Sequence, residues 1–406
     1  MFHRIRWHCC WLWLAAACAV AGRDGGGVRP GIDVFISDSL HVLDGDRVGL
    51  LTNQTGIGRN GSSDVELLLG AGVNLTTLFS PEHGFRGVLD QEMIGHGLDP
   101  ATGLPIYSLY GDTRAPTPDM FDELDVLVID LQDIGARTYT YISTALLAIR
   151  AARDAGVRVI VLDRPNPIGG RLVQGPIMRP QDTSFVGMLQ VPLRHGMTLG
   201  ELALYGNWEL EIGADLVVIP AHGWRRDQWF DEIGLPWVRP SPNMPSLESA
   251  THYPGIVMFE ATNLSVGRGT PIAFQLVGAP WLRPSEVLAH LGPLSGVSLA
   301  DTMVTPNGPS DGKYESTTIP SIRLRVSDRS TYDPVRAATE ILAAVYAVHG
   351  DDLRIDAARF DRLVGTDAVR KVMVSGGEEK LEPLLRDWVR ASAAFKQRRA
   401  KFLLYR

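Results

Sequence analysis

Residues 126–163 read VLVIDLQDIGARTYTYISTALLAIRAARDAGVRVIVLD. The first five form an unbroken apolar run ending on Asp130, the pattern of a strand covered on both faces. Ile142, Ala145, Leu146, Ile149 and Ala152 then recur at helical spacing, so a helix lays one apolar stripe on a neighbour. Gly156 stops that helix. A second apolar run follows at 157–162 and ends on Asp163. Strand, helix and strand in this order form a βαβ unit, which sets two parallel strands side by side.

The same pattern extends outward. Residues 47–52 (RVGLLT) read as a strand running into Asn53-Gln54-Thr55-Gly56. Ser63 and Glu66 form a capping box that opens a short helix. Residues 74–79 are β-prone, 198–212 helical and 215–219 a strand. The expectation is an α/β, Rossmann-like, mostly parallel sheet domain over residues 31–270. Beyond about 270 the pattern changes. Residues 319–326 alternate apolar and polar, as a half-exposed strand does. Helices follow at 335–348 and 366–375, and a basic helix carrying Arg390, Lys396, Arg398, Arg399 and Lys401 closes the chain. A second, smaller α+β C-terminal domain is expected over 271–406. A length of 406 residues suits two such units at roughly 100–200 residues per domain.

Net charge is −7, which argues against a nucleic-acid partner but leaves room for local basic groups that hold an anion. Residues 1–21 carry Arg4 and Arg6, an apolar core and an Ala19-Val20-Ala21 cleavage signal, the form of a secretory signal peptide. An exported protein, periplasmic or extracellular, is expected. Leu14 to Cys18 also fits a lipobox, which would tether the chain to a membrane through Cys18. All three cysteines lie in this leader, so the mature chain would have no disulfide, thiolate metal site or cysteine nucleophile. There is no G-x-G-x-x-G after a strand, no P-loop, no H-E-x-x-H and no G-x-S-x-G. No cofactor, metal or protein partner is expected.

In open parallel sheets ligands bind outside the carboxyl ends of the strands. Four strands here run directly into polar clusters. Ser80-Pro81-Glu82-His83-Gly84-Phe85-Arg86-Gly87 offers Glu82 as a general acid, because a carboxyl just past a buried strand is partly desolvated. His83 would orient it or shuttle protons, and Arg86 would hold an anion; Glu82 and Arg86 would equally suit a loop ion pair. Asn53 closes the first strand. Asp130, Gln132, Arg137 and Tyr139 line the third cluster, where amides, carboxylates and tyrosines suit a hydroxyl-rich ligand, while Asp133 reads best as a helix cap. In Asp163-Arg164-Pro165-Asn166, Asn166 would read an acetamido group or simply hold a turn. His195 precedes a T-x-x-E box in which Glu201 reads as a cap. Asn243, Glu260, Asn263 and Arg268 sit in Pro- and Gly-rich surroundings.

These segments carry a resemblance. LFSPEHGFRG, DVLVIDLQDIGARTYTYIST, VLDRPNPIGG, RHGMTLGELA, SPNMPSLESA, FEATNLSVGRGT and the closing FDRLVGTDAVRK are similar, in this order, to the bacterial exo-β-N-acetylmuramidase family, long carried as a domain of unknown function. The resemblance spans about Gly31 to Arg406. It implies a Rossmann-like domain joined to a smaller C-terminal one, with a cleft near their junction. It also implies release of terminal N-acetylmuramic acid from the non-reducing ends of peptidoglycan fragments, the disaccharide N-acetylmuramic acid–N-acetylglucosamine among them. It makes the glutamate of the P-E-H-G motif, Glu82, catalytic. Near Ile319 this chain departs from the family's usual Cys-Gly-Gly stretch. The lactyl carboxylate of such a substrate needs an arginine, and Arg86, Arg137 and Arg268 are the expected anchors. A second catalytic group is sought among Asp130, Asp133 and Glu260, or in the substrate's own acetamido group. A wall amidase or peptidase and a non-catalytic muropeptide binder are the competing readings; chelator sensitivity would favour the first, binding without turnover the second.

Overall fold

The computed structural model describes residues 27–43, 45–375 and 380–406; the expected leader and Cys18 lie outside them. In chain order the strands of the first part are β1 (Arg47–Thr52), β2 (Asn74–Ser80), β3 (Gly97–Leu98), β4 (Pro105–Ser108), β5 (Val126–Asp130) and β6 (Arg158–Leu162). A hairpin of β7 (Gln174–Ile177) and β8 (Pro192–Arg194) follows, and then β9 (Leu216–Ile219). The main sheet runs β3-β4-β2-β1-β5-β6-β9. Every pairing in it is parallel except that of β3 with β4. Taking the parallel strands alone gives the Rossmann order, with the direction of winding reversing between β1 and β5. The Rossmann-like reading of the sequence therefore holds.

The strands alternate their side chains between two cores, as a two-residue period requires. Val126 and Val128 of β5 join Val48, Leu50, Ile160 and Leu162 against Ile32, Phe35 and Leu68. Leu127 and Ile129 face the opposite way, with Val159 and Val161, onto Ile142, Leu146 and Ile149. Those three belong to the helix Tyr141–Ala155, whose expected stripe is buried throughout, and Gly156 ends it at φ +72°. Glycine takes that left-handed cap without steric cost. Both capping boxes read from the sequence form, at Ser63 and Thr198. Glu201 does more than cap: it also pairs with Arg226 and accepts from the Leu404 amide at 2.8 Å, pinning the C-terminus.

The second part holds an antiparallel sheet, ordered β10 (Leu276–Gly278), β12 (Ile319–Val326) and β11 (Val297–Val304). Despite the local departure near Ile319, β12 forms its central strand and buries Ile319, Ile322 and Leu324. The core on the Tyr141–Ala155 side of the main sheet continues without a break into Ile322, Leu324, Val335, Ile341 and Leu342. One apolar core therefore spans both parts. The helix Leu247–Ile256 packs directly on the helix Pro334–His349. Gly255 permits this approach, since a Cβ there would lie 1.9 Å from the Pro334 carbonyl oxygen.

At the carboxyl ends of β5 and β6, Arg164 forms a fork on Asp130, with Nη2 at 2.9 Å from Oδ2 and Nε on Oδ1. Asp130 is fully buried and Arg164 nearly so. The crevice beside them, between Thr55, Gln132, Arg164 and Trp237, has a volume of only about 20 Å³. Asp130 and Gln132 are thus part of the structure of the switch point and not of an open site. Gln132 donates to the carbonyls of Asp133 (2.7 Å) and Pro165 (3.0 Å).

Two stability predictions follow from these contacts. Gly255→Ala should lower the unfolding free energy by about 1–3 kcal/mol, the usual cost of overpacking; an unchanged urea midpoint would show that the helices do not meet as described. Arg164→Met leaves a buried carboxylate alone and should cost about 3–5 kcal/mol. Adding Asp130→Asn should recover part of that loss in the same titration.

Candidate active site

A cleft of about 350 Å³ falls within the roughly 300–1,000 Å³ of small-molecule sites. It opens where the end of β2 meets the second part of the chain. Glu82, His83, Tyr139, Glu260 and Arg268 of the expected site line it. Asp90, Tyr110, Thr140, Tyr253, Arg359 and Arg362 line it too, and none of these was singled out from the sequence.

Glu82 leaves β2 on a tight turn in which the Gly84 amide donates to the Pro81 carbonyl at 3.1 Å. His83 takes φ +70° and Gly84 φ +73°. The left-handed region is costly for a residue with a Cβ, and His83 is held there by a 2.8 Å hydrogen bond from Nδ1 to the Leu89 carbonyl. A carbonyl can only accept, so Nδ1 carries the proton.

The Thr140 hydroxyl donates to the Glu82 carboxyl. Thr140 occupies the N-cap position of the helix Tyr141–Ala155, yet its side chain does not cap that helix. It serves the carboxyl instead. Tyr110, which also interacts with Glu82, has its pKa pushed up to about 12 by burial and then by the Glu82 charge, against the opposing pull of Arg114. Arg114 stacks 3.7 Å above the Tyr110 ring. Tyr139, Tyr141 and Tyr253 are likewise raised, first by burial, with the Glu82 charge contributing to each. All four phenols keep their protons at neutral pH, so Glu82 is surrounded by aromatic rings and hydroxyl donors.

Edge-to-face pairs run from Tyr141 to Tyr139 (4.8 Å), on to Tyr253 (6.0 Å) and to Phe274 (4.7 Å). This rigid wall leads to Arg268, 5.4 Å from the Phe274 ring centroid. Arg268 reaches Glu260 at 2.6 Å through both Nε and Nη2, donates to the Ser310 hydroxyl at 3.2 Å and lies 3.8 Å from Asp90. Burial alone would lower its pKa; the charges of Glu260 and Asp90 outweigh that and raise it. Asn243 stands just behind, donating to Asp90 at 2.5 Å.

The remaining expected residues lie elsewhere. Arg137 is buried, and its guanidinium donates to the carbonyls of Pro176, Val191, Leu363 and Val364 at 2.8–3.0 Å. It is a strut, because both of its terminal nitrogens are taken by backbone carbonyls. Arg86 projects into solvent, with 63% of its side chain exposed, and pairs with Asp99 at 3.0 Å. Asn53 sits behind the aromatic wall and donates to the Tyr141 hydroxyl at 2.8 Å. Asn166 closes its own turn, accepting from the Ile168 amide and donating to the Met197 carbonyl. His195 is fully buried, with Nδ1 accepting from the Met197 amide at 3.1 Å. Asn263 bridges to Asp352 and Arg354. Asp133 does not cap the helix; it accepts from the Gly135 amide at 2.6 Å inside the loop. Among the described residues no group of three or more His, Cys, Asp and Glu is placed to hold a metal ion.

The strand-end rule could have found Tyr110, which follows β4, had that four-residue strand been recognised. Thr140 lies within the segment already singled out. Arg359 and Arg362 carry no local signal, because only the tertiary fold brings their helix to the cleft.

Comparison with known proteins adds to this geometry. The sequence profile of the exo-β-N-acetylmuramidase NamZ N-terminal domain matches residues 48–248, and that of its C-terminal domain residues 251–405. The two profiles meet inside the helix Leu247–Ile256. The peptidoglycan β-N-acetylmuramidase NamZ of Bacillus subtilis strain 168 is 39% identical over 383 residues, which is 93% of this chain and 91% of that protein. Two solved DUF1343 family proteins of Bacteroides fragilis NCTC 9343 superpose with TM-scores of 0.84 and 0.75 at 33% and 30% identity. They cover 93% and 94% of this chain and 99% of their own. On profile, sequence and fold alike, the chain belongs to the NamZ family of exo-β-N-acetylmuramidases.

Proposed function

We propose that this protein is an exo-acting glycosidase that releases terminal N-acetylmuramic acid from the non-reducing ends of peptidoglycan fragments, with Glu82 as general acid. One observation carries the assignment of the residue. Glu82 stands at the carboxyl end of a parallel strand, in the cleft, and takes the hydroxyl of Thr140. A carboxyl group so held can deliver a proton to the leaving glycosidic oxygen as the bond breaks. His83 fixes the turn that presents it. Positive charge then develops on the sugar ring, and the acidic side chains of Asp90 and Glu260 in the same cleft favour it electrostatically. Tyr139, Tyr253 and Phe274 offer apolar ring faces to the sugar. A substrate derived from the cell wall also supports export of the protein, in keeping with the leader-like residues 1–21.

The test follows free N-acetylmuramic acid released from the disaccharide N-acetylmuramic acid–N-acetylglucosamine by mass spectrometry. Glu82→Gln should lower kcat by ~100- to 10,000-fold, the range of general-acid catalysis. Full activity in that variant would remove Glu82 from the mechanism, and saturable binding by wild type without release would make the protein a receptor. Thr140→Val should lower kcat by ~10-fold or more with little change in KM, as expected for a hydrogen bond to an ionisable group that acts on the reacting centre. A change in KM alone would place Thr140 in substrate binding instead.

A further inference from the structure

The arginines expected to hold the substrate's lactyl carboxylate are all occupied. Arg137 is buried with both terminal nitrogens on carbonyls, Arg86 pairs with Asp99 outside the cleft, and Arg268 is clamped by Glu260. Yet the cleft has two further guanidinium groups, those of Arg359 and Arg362. They lie three residues apart on the helix Ala357–Val364, a spacing that sets side chains on one face at about 5–6 Å between Cβ atoms. Both are exposed, and neither side chain has an ion pair or hydrogen bond among the described residues.

We propose that Arg359 and Arg362 form the carboxylate-binding subsite of the cleft and select a sugar bearing a lactyl ether over one bearing a free hydroxyl. The proposal rests on the glycosidase reading above and names the residues that set its substrate class.

Several features favour binding over a merely solvated face. The acid between the two arginines, Asp361, is taken by Arg370, with Nε at 3.1 Å, so it does not neutralise either. Asp356 caps the helix through the Arg359 amide at 3.1 Å. Arg359 stands in the first turn, where the helix dipole disfavours a cation; helix stability does not explain its charge. The helix itself is fixed. Phe360, Leu363 and Val364 are buried, Arg137 holds the Leu363 and Val364 carbonyls, and the Arg179 amide donates to the Gly365 carbonyl at 3.1 Å. Two planar donor forks on a rigid platform match the two oxygens of a carboxylate, which a lysine cannot do in the same way. The carboxylates of Asp90 and Glu260 in the same cleft would repel that anion, which directs it to these two arginines.

The experiment separates binding from turnover. N-acetylmuramic acid and N-acetylglucosamine are titrated calorimetrically into wild type and into the Arg359→Gln/Arg362→Gln double variant. In parallel, kcat and KM are measured on the para-nitrophenyl β-glycosides of both sugars and on the muramic glycoside with its lactyl carboxylate converted to the methylamide. Circular dichroism confirms the fold of the variant. The double variant should bind N-acetylmuramic acid ~100-fold more weakly, the size expected for losing charge-assisted hydrogen bonds. It should bind N-acetylglucosamine unchanged. Its loss on the muramic glycoside should lie in KM, and wild type on the methylamide should behave as the variant does on the acid, with no further loss when both changes are combined. Unchanged selectivity, or equal losses on both sugars, overturns the proposal. Arginine-dependent selectivity in binding without turnover of any glycoside supports this subsite and overturns the glycosidase reading instead.

Discussion

The Arg137 guanidinium donates to four backbone carbonyls, two beside the β7–β8 hairpin and two at the end of the helix Ala357–Val364. Among the described residues no carboxylate touches it, and burial pushes its pKa down to about 9, still above neutrality. A buried cation with only carbonyl partners is retained because aligned dipoles replace its water, and removing it would strand four acceptors. Arg137 leaves the loop after β5 three residues before Thr140. The same side chain therefore fixes the loop that serves Glu82 and the helix that carries Arg359 and Arg362. This one side chain thus ties the two sides of the cleft to each other, in addition to the core they share.

Packing at the strand ends accounts for where the site lies. A doubly wound sheet offers a crevice at its switch point, between β1 and β5 here. In this chain the Asp130–Arg164 pair and the Trp237 segment fill it, leaving about 20 Å³. The open cleft lies one strand over, at the end of β2, and its far wall comes from the second part of the chain. Because a single core runs through both parts, that wall is set by packing and not by a hinge.

Much of this was legible in the sequence, and the reasons for success and failure are physical. Apolar period fixed β1, β5, β6 and the helix Tyr141–Ala155, because buried parallel strands and one-sided helices tolerate few alternatives. The strand-end rule led to Glu82, His83 and Tyr139. It also led to Asp130, Gln132, Asn166 and His195, which lie at strand ends for another reason. Loops there carry backbone groups that helices and sheets leave unpaired, and short polar side chains satisfy them. A pattern of polar residues cannot separate the two uses; only the direction of the side chain does. Arg359 and Arg362 were out of reach, since more than 200 residues separate them from Glu82 in the chain.

Charge shows the same limit of composition. A net charge of −7 describes the field far from the surface, which salt screens beyond about 8–10 Å. An anionic ligand inside a cleft responds to the nearest groups. Here Glu82, Asp90 and Glu260 lie in the same cleft as Arg359 and Arg362, with Arg268 engaged by Glu260. Such a division attracts a substrate that is itself divided, with an anion at one position and a ring that turns positive at another. Were the arginines paired with the cleft's own acids, the site would be neutral and indifferent to both. Asp361 turning to Arg370, and Glu260 to Arg268, keep those charges apart. The polarity of the cleft thus depends on which of its charges are already paired.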